Sequence, residues 1–529
     1  MRLRQKRETC SPVFRIYPPF KSASAMKNFS PDKRVLDNCK IYLMLHKYSK
    51  GRHLSFHTPG HKAGAWDITE LSYSDNLSCP KGVIKEAEKD ISEILGSAAS
   101  FILTDGSTAG VLSMLKASGA RRIAVAENAH KSVYNGCKLL GIEIVSLDVP
   151  TAEKIPLQPT RAETSEKIKG ADALLITSPD YYGNLADLPF LRALCDETGA
   201  LLLIDGAHGG HLHFDREIYA GTYADLWVDG VHKSLPALTQ GAVVSAKTPA
   251  LAEDLAEAAD IFRTTSPSYP IMASVEYAVK YPRNTALENA VLGFVRAYPD
   301  KIRFGGDWTK LCAVFGDRAF IVQKYLEKKG IYAEFCDGNV VMFYLSPATK
   351  SADFKRLKKE LRACFSFFGD FPSENTVEET DFSSAPNEEK VSLTMQANKE
   401  TIFPIASDEE KISLAIQANK ETGFSNVPTT EKVSLAIQFN EKPTLSSPPT
   451  AEKSPFQKGV EVSETEWIPL EKSEGLTCAK PCGLFPPCTP LLFAGDTIDK
   501  KTIGLLSEAD NVFGLSGGKI SVYKTYKNN

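Results

Sequence analysis

Short apolar runs that end in polar motifs recur through the first half of the chain, and this feature constrains the fold most. TDGST, ENAHKS, TSPDYYG, DGAHGG and DGVHKS each follow such a run directly. Apolar residues at helical spacing separate several of the runs, so that predicted strands and helices alternate. This alternation is typical of a mostly parallel sheet covered by helices on both faces. Because ligands of such sheets bind beyond the carboxyl ends of the strands, we predict that the five motifs converge on one site.

The predicted fold class is α/β, with a large domain built on this sheet and a smaller α+β domain after it. The large domain is predicted to contain helices over 32–48, 81–98, 130–140 and 188–197, and strands over 101–103, 122–126, 142–147, 173–177, 201–205, 226–228 and 242–246. The smaller domain is predicted to contain helices over 320–329 and 352–364 and strands over 332–335 and 340–345.

At 529 residues the chain exceeds one ordinary hydrophobic core, so we expect several domains. The predicted division is a basic leader or a wrongly assigned start (1–26), a large domain (27–290), a small domain (291–370), a repeat insert (371–455) and a C-terminal segment (456–529). For the leader, a transit peptide is the alternative to translation beginning at Met26, and we favour Met26.

In the insert Lys390, Lys411 and Lys432 recur every 21 residues. The repeats are short, polar and interrupted by prolines, which favours a disordered surface insert over a partner-binding segment.

Composition excludes several classes of function. A net charge of −3 gives no reason to expect nucleic acid or membrane-surface binding, and no apolar run approaches the ~20 residues that span a bilayer. The 11 cysteines form no paired CxxC pattern with zinc spacing, and we expect them to be mostly reduced, as in a cytoplasmic protein.

Asp205 and Lys233 carry the clearest chemistry in the sequence. Asp205 ends the apolar run 201–204, and Lys233 follows the run 226–228. Alone, Asp205 is well explained as a helix N-cap and Lys233 as a surface lysine. At the ends of neighbouring strands, the pair suits pyridoxal phosphate (PLP), whose aldehyde a lysine binds and whose ring nitrogen a buried carboxylate keeps protonated.

Three further motifs extend this site. Ser107 and Thr108 lie in TDGST at a predicted helix start, which suits a phosphate, although an ordinary capped turn has the same residues. His130 in ENAHKS is predicted to stack on the cofactor ring, and a buried core histidine is the alternative. His208 follows Asp205 by three residues and is predicted to lie beside the cofactor, where it positions a group or acts as an acid.

A metal site is the competing interpretation of the histidine-rich motifs. HGGHLH contains His208, His211 and His213, and HTPGH contains His57 and His61. Spacing of four residues brings two histidines together on a helix, but Pro and Gly interrupt both motifs. We therefore predict no metal.

The motifs SFHTPGHKAG, DGSTAG, ENAHKS, TSPDYYG, DGAHGGHL and VHKSLPALTQGA occur in the order found in the Orn/Lys/Arg decarboxylase family, which the chain therefore resembles. The resemblance covers roughly residues 32–290 and returns more weakly near the end. It implies a fold-type-I PLP enzyme in a short form without an N-terminal wing domain, and a homodimer or higher homo-oligomer. It assigns Lys233 to the Schiff base, Asp205 to the ring nitrogen, His130 to stacking, His208 to the side of the ring, and Ser107, Thr108 and His232 to the phosphate.

Three residues depart from the pattern of the family. Gly230 stands where relatives often have a serine, which implies one phosphate hydroxyl fewer. Cys488 and Asp496 replace a glycine and a glutamate near the substrate entrance. Thr264–Pro270 is implied to reach across the subunit interface.

The predicted reaction is decarboxylation of arginine, lysine or ornithine to the polyamine-pathway amine and CO₂, with Lys233, His208 and Asp205 as catalytic residues. The alternatives are another fold-type-I reaction, such as an aminotransferase or lyase, and a catalytically silent regulatory protein. The residue that binds the side chain of the substrate is not identified by the sequence.

Overall fold

The computed structural model describes residues 31–62, 66–152, 155–368, 465–484, 490–493, 495–508 and 512–524. The predicted leader and the 21-residue repeats lie outside the described residues, and so does Cys488. No helix in the described part of the chain combines the length and apolar character needed to cross a membrane.

A seven-stranded sheet forms the centre of the fold. Its strands are β1 Ala99–Leu103, β2 Arg122–Ala126, β3 Glu143–Leu147, β4 Ala173–Thr177, β5 Leu201–Gly206, β6 Leu226–Asp229 and β7 Ala242–Ala246. Their order is β1-β7-β6-β5-β4-β2-β3. β7 runs antiparallel to its neighbours β1 and β6, whereas β2 to β6 pair in parallel, which confirms the predicted fold class.

Helices cover both faces of this sheet. Their bounds are Lys33–Leu36, Lys40–Lys50, Val83–Leu95, Gly106–Ala117, Lys131–Leu140, Arg161–Lys167, Leu188–Thr198, Ala220–Tyr223, Val231–Ser234, Pro249–Phe262 and Tyr269–Val279. A 3₁₀ helix spans Gly210–Phe214, and a short hairpin pairs Thr151–Ala152 with Ile155–Pro156. The predicted helix over 32–48 is divided at Asp37–Cys39, where the first helix ends.

The continuous apolar sequence of β5 follows from its position in the middle of the sheet. Leu202 and Ile204 pack in one hydrophobic cluster, whereas Leu203 packs in a second cluster. Successive side chains of a strand point to opposite faces, and here both faces are covered by helices. The strand register aligns Thr177 of β4 with Asp205 of β5, so that the strands end together at one edge.

A second, smaller sheet is antiparallel and has its own core. Its strands are Ile302–Arg303, Lys310–Val314, Val340–Tyr344 and Phe335–Cys336, in that spatial order. Its helices are Thr285–Ala297, Ala319–Lys328 and Ser351–Phe368, with a 3₁₀ turn at Gly316–Arg318. The predicted strand over 332–335 was wrong in its bounds, and the strand Lys310–Val314 was not predicted.

The described part of the C-terminal segment forms small sheets around a separate apolar cluster. Its strands are Thr465–Pro469, Cys482–Leu484, Pro490–Leu492, Val512–Phe513, Leu515–Ser516 and Lys519–Tyr523, and its helices are Leu470–Lys472 (3₁₀) and Lys500–Glu508. Phe493 contacts the ring of Tyr134 with 4.6 Å between centroids, and Lys131 lies over Phe513. Both contacts are made on the helix Lys131–Leu140, which begins beside the convergent motifs. The predicted domain boundaries stay predictions.

Candidate active site

The polar motifs meet at a cavity of about 240 Å³ beyond the carboxyl ends of the strands. Because β7 alone is reversed among the strands of this sheet, β1, β2, β4, β5 and β6 all end at the same edge. The cavity is lined by all seven residues predicted from the sequence, namely Ser107, Thr108, His130, Asp205, His208, His232 and Lys233. Sequence reasoning did not assign the lining residues Asn128, Thr177, Tyr181, Thr239 and Gln240.

One end of the cavity is the start of the helix Gly106–Ala117. Gly106 has φ +74° and donates its backbone N–H to the carbonyl of Gln240 at 2.9 Å, which fixes the turn. Ser107 is buried, and its Oγ has no hydrogen-bond partner among the described residues. Thr108 is exposed at the opening. A buried hydroxyl at the positive end of a helix dipole suits an anionic group.

His232 lines the cavity from the short helix Val231–Ser234, which follows β6. Its Nδ1 lies 2.9 Å from the carbonyl oxygen of Gly241, and its backbone N–H donates to the same oxygen at 3.1 Å. Burial is the main cause that lowers the pKa of His232, although the bond to Gly241 opposes it. The ring is thereby held in one orientation at the cavity wall.

His130 caps the helix Lys131–Leu140 at the wall formed by β2. Its Nδ1 accepts the backbone N–H of Ser132 at 3.2 Å and lies 2.8 Å from the Oγ of Ser132. Burial, followed by the charge of Lys233, lowers the pKa of His130 to about 4. The side chain is therefore a neutral, oriented ring at physiological pH, as a residue that stacks on a ligand must be.

Asp205 lies at the floor of the cavity at the end of β5. It is 2 % exposed, and its Oδ1 accepts the backbone N–H of Ala207 at 3.1 Å. Burial raises the pKa of Asp205, while the positive charge of Lys233 opposes that shift. A buried carboxylate in this position favours a ligand that brings a positive charge or a proton donor.

Lys233 and His208 are in direct contact, with 3.2 Å between Lys233 Nζ and His208 Nε2. Burial and then the charge of Lys233 lower the pKa of His208 well below its usual value. A neutral His208 accepts from the lysine through Nε2 and carries its own proton on Nδ1. This Nδ1 has no partner among the described residues, which leaves a buried donor at the cavity.

Two tyrosines contact the ring of His208, Tyr181 from the loop after β4 and Tyr344 from the strand Val340–Tyr344 of the smaller sheet. The rings of Tyr181 and Tyr344 each meet His208 edge-on, with 5.5 Å between centroids. The hydroxyl of Tyr344 donates to the carbonyl oxygen of Tyr181 at 2.8 Å. Lys310 places its Nζ 4.4 Å from the centre of the Tyr344 ring and 3.3 Å from Asp307.

Gly230 packs against the loop that contains His208. A Cβ at this position would overlap the carbonyl oxygen of Ala207 and lie 2.7 Å from Ser107 Oγ. The glycine is thus required by the close approach of two strand-end loops. A serine at this position does not fit this backbone.

The histidines of HGGHLH have separate partners. His208 faces the cavity, His211 Nε2 lies 2.9 Å from Asp307 Oδ1, and His213 Nδ1 lies 2.7 Å from the carbonyl of Gly210. In HTPGH, His61 lies 2.9 Å from Asp67. Within the described ranges, no group of three or more His, Cys, Asp or Glu residues is arranged to hold a metal ion.

Comparison with known proteins identifies the family. Residues 65–298 match the model of the Orn/Lys/Arg decarboxylase major domain. An uncharacterized protein of Bacillus subtilis, YaaO, is 30% identical over 354 residues, which cover 58% of this chain and 74% of that protein. An arginine decarboxylase of the same organism is 27% identical over 268 residues, which cover 45% of this chain and 54% of that protein.

A solved structure shares the fold. The lysine decarboxylase LdcF of Francisella novicida superposes with a TM-score of 0.65 at 20% sequence identity, covering 92% of this chain and 81% of that one. The matches confirm the family, the fold class and the cofactor class predicted from the ordered motifs. The chain belongs to the Orn/Lys/Arg decarboxylase family of PLP-dependent amino acid decarboxylases.

Proposed function

We propose that this protein binds PLP through Lys233 and decarboxylates arginine, lysine or ornithine to the corresponding amine. The observation that carries the proposal is the placement of Lys233, Asp205 and the unpartnered Ser107 hydroxyl around one cavity. A lysine, a buried carboxylate and an anion-binding helix start match the aldehyde, ring nitrogen and phosphate of PLP. When bound, PLP supplies an electron sink for breaking a bond at the substrate Cα.

In this proposal the phosphate end is held by the start of the helix Gly106–Ala117. The buried Ser107 hydroxyl gains the partner that it lacks among the described residues, and Thr108 and His232 line the same cavity. His130 stacks on the ring. Because its pKa of about 4 keeps it neutral, stacking brings no second positive charge against a protonated ring nitrogen.

Asp205 holds the proton of the ring nitrogen. Its carboxylate is buried and has a raised pKa, so that a protonated nitrogen is its natural partner. The bond from Ala207 fixes one carboxylate oxygen of Asp205, which lines the cavity. Asp205 thereby stabilises the charge that develops as CO₂ leaves.

Lys233 and His208 supply the proton that replaces the carboxylate on the substrate Cα. The two nitrogens lie 3.2 Å apart, which permits a proton to pass between them. Burial, and the positive charge of Lys233 while its amine is free, keep His208 neutral. The pair then delivers a proton to the substrate Cα. We further propose a homodimer, in which Thr264–Pro270 reaches the partner's cavity.

The test is incubation of the purified protein with PLP and each of the three amino acids, measuring CO₂ and amine. We expect turnover of at least one, and at least a thousandfold loss of turnover in Lys233→Ala. Lys247→Ala is the matched control, because Lys247 follows β7 at the opposite edge of the sheet and donates to the carbonyl of Gly221. Absence of CO₂ from all three amino acids would refute the proposal.

A further inference from the structure

The stacking role proposed for His130 requires that its ring is held in one place and one orientation. Its Nδ1 is bonded to Ser132, within the first turn of the helix Lys131–Leu140. The position of the ring therefore follows the position of this turn. The contacts that hold the turn to the sheet determine where the ring lies in the cavity.

Tyr134 connects the first turn of this helix to the end of β2. Its hydroxyl lies 3.3 Å from the carbonyl oxygen of Ala126 and 3.0 Å from that of Glu127, so that its proton is shared between two acceptors. Ala126 is the last residue of β2, and Glu127 begins the turn that leads to His130. One side chain therefore joins the two ends of the turn from which His130 projects.

The C-terminal segment covers the ring of Tyr134. The ring of Phe493 packs on it with 4.6 Å between centroids and 55° between the ring planes. Tyr134 is half-buried, and burial raises the pKa of its hydroxyl, which therefore stays protonated as a donor. Because Phe493 restricts rotation of the tyrosine side chain, the hydroxyl stays at the two carbonyl oxygens.

Phe493 is itself held by a turn of the C-terminal segment. Its backbone N–H donates to Asp496 Oδ2 at 2.6 Å, and the backbone N–H of Asp496 donates to the carbonyl oxygen of Phe493 at 3.1 Å. Gly495 has φ +105° and donates to the carbonyl oxygen of Cys478 at 2.7 Å. Since Cys478 is buried in the apolar cluster of this segment, the folded segment sets the position of Phe493.

A second contact from the same segment reaches the residue next to His130. The Nζ of Lys131 lies 5.0 Å from the centroid of the Phe513 ring, which is a cation–π contact. Phe513 lies in a strand that pairs with Cys482–Leu484. Two aromatic rings of the C-terminal segment thus contact the turn that follows His130, although none of the described residues of that segment lines the cavity.

We propose that Tyr134, covered by Phe493, is a positioning residue that sets the orientation of His130 on the cofactor ring. The C-terminal segment thereby takes part in cofactor binding without contacting the cofactor. The inference rests on the proposed function, because it takes from it the placement of PLP against His130. It requires PLP binding but no release of CO₂, so that it is tested separately from the reaction.

The test compares the unmodified protein with Tyr134→Phe, which removes only the hydroxyl, and with Phe493→Leu, which removes the ring contact. In both variants we expect PLP to bind about threefold to tenfold more weakly, as for the loss of one hydrogen bond. At saturating PLP the absorbance near ~420 nm is expected to stay the same, because Lys233 is unchanged. The circular dichroism of that band, divided by its absorbance, is expected to fall to about half, because it depends on how the protein holds the ring.

The double variant separates positioning from general loss of stability. Because both changes act through the same hydroxyl, Phe493→Leu is expected to have little further effect on PLP affinity when Tyr134 is already phenylalanine. Effects that multiply in the double variant would overturn the inference. The ratio of circular dichroism to absorbance counts only molecules that have bound PLP, so that it remains decisive if a variant unfolds at a lower temperature.

Tyr223→Phe provides the matched control. The hydroxyl of Tyr223 donates to the backbone carbonyl of Glu217 at 3.1 Å, and neither residue lines the cavity. PLP affinity and the ratio are expected to equal those of the unmodified protein. If Tyr134→Phe and Phe493→Leu match this control, the inference fails and the proposed function stands. If the unmodified protein has no band near ~420 nm with PLP, the proposed function fails, and the inference fails with it.

Discussion

Replacement of Gly230 by alanine tests whether the two loops that frame the cofactor cavity are as tightly packed as the structure indicates. The new Cβ would overlap the carbonyl oxygen of Ala207 and lie 3.0 Å from the Ala207 carbonyl carbon and 2.7 Å from Ser107 Oγ. The φ of Gly230 is −82°, so that its backbone conformation is open to any residue. The whole effect must therefore come from the overlap.

The size of the loss of stability depends on which of the overlapping atoms can move. A backbone carbonyl cannot turn away as a flexible side chain can, so the loop after β5 must shift. Inserting a group into a packed interior costs about 1–3 kcal/mol, and a contact with backbone belongs at the upper end. A loss of about 3 kcal/mol corresponds to a decrease of roughly 6–12 °C in Tm, judged from domains of 150–250 residues.

The assay combines thermal unfolding of the protein without cofactor with a titration by PLP. Gly230→Ala is expected to unfold earlier and to bind PLP at least tenfold more weakly, because displacement of Ala207 disturbs Asp205 and His208. Gly293→Ala is the control, since Gly293 lies in the helix Thr285–Ala297 with nothing within 4 Å of its Cβ position. There we expect a gain of about 0.5–1 kcal/mol. Equal Tm and PLP affinity for the two variants would refute the close packing.

Two further predictions concern buried ionisable side chains. Asp307→Asn leaves the ammonium of Lys310 without its buried carboxylate, and we expect a loss of about 3–5 kcal/mol in urea unfolding at neutral pH; an unchanged midpoint would contradict this. The cofactor-free protein is expected to lose stability as the pH falls from about 6.5 towards 4, because unfolded histidines take up protons near pH 6.5. In the folded protein, burial lowers the pKa of His130 to about 4 and holds the pKa of His208 well below its usual value, so that both rings stay neutral. Thermal midpoints measured between pH 7.5 and 4.5 check this, and a flat profile would show that these rings are not buried.

The large sheet was predictable from the sequence because its strands are short apolar runs with clear ends. Arg122–Ala126, Ala173–Thr177 and Ala242–Ala246 have the predicted bounds. Strands buried on both faces have continuous apolar sequences, and the polar motifs mark where they end. The seven cavity residues could be selected for the same reason, since Asp205 lies at the end of its strand and the other six follow strand ends.

The smaller sheet was harder to predict because a charged residue interrupts its pattern. The strand Lys310–Val314 begins with a lysine whose side chain is buried, and its contacts with Asp307 and with the ring of Tyr344 explain this burial. Hydrogen-bond and ion-pair partners that are far apart in the chain cannot be recognised from the local sequence. His211 and Asp307 are separated by 96 residues, and Tyr181 and Glu334 by 153. Tyr181 stood in a motif that we recognised, but its role depends on these distant contacts.

The charged and polar groups of the site suit different parts of the proposed cofactor. Lys233 contributes a cation at the reacting end, and burial keeps His130 and His208 neutral beside it. Positive charge and an unpartnered hydroxyl at the helix start favour the phosphate of PLP and the carboxylate of an amino acid. Asp205 lies buried at the end of β5, where its carboxylate suits the protonated ring nitrogen that we propose it holds. The motifs at the strand ends of the large sheet therefore provide every residue that we propose to contact the cofactor.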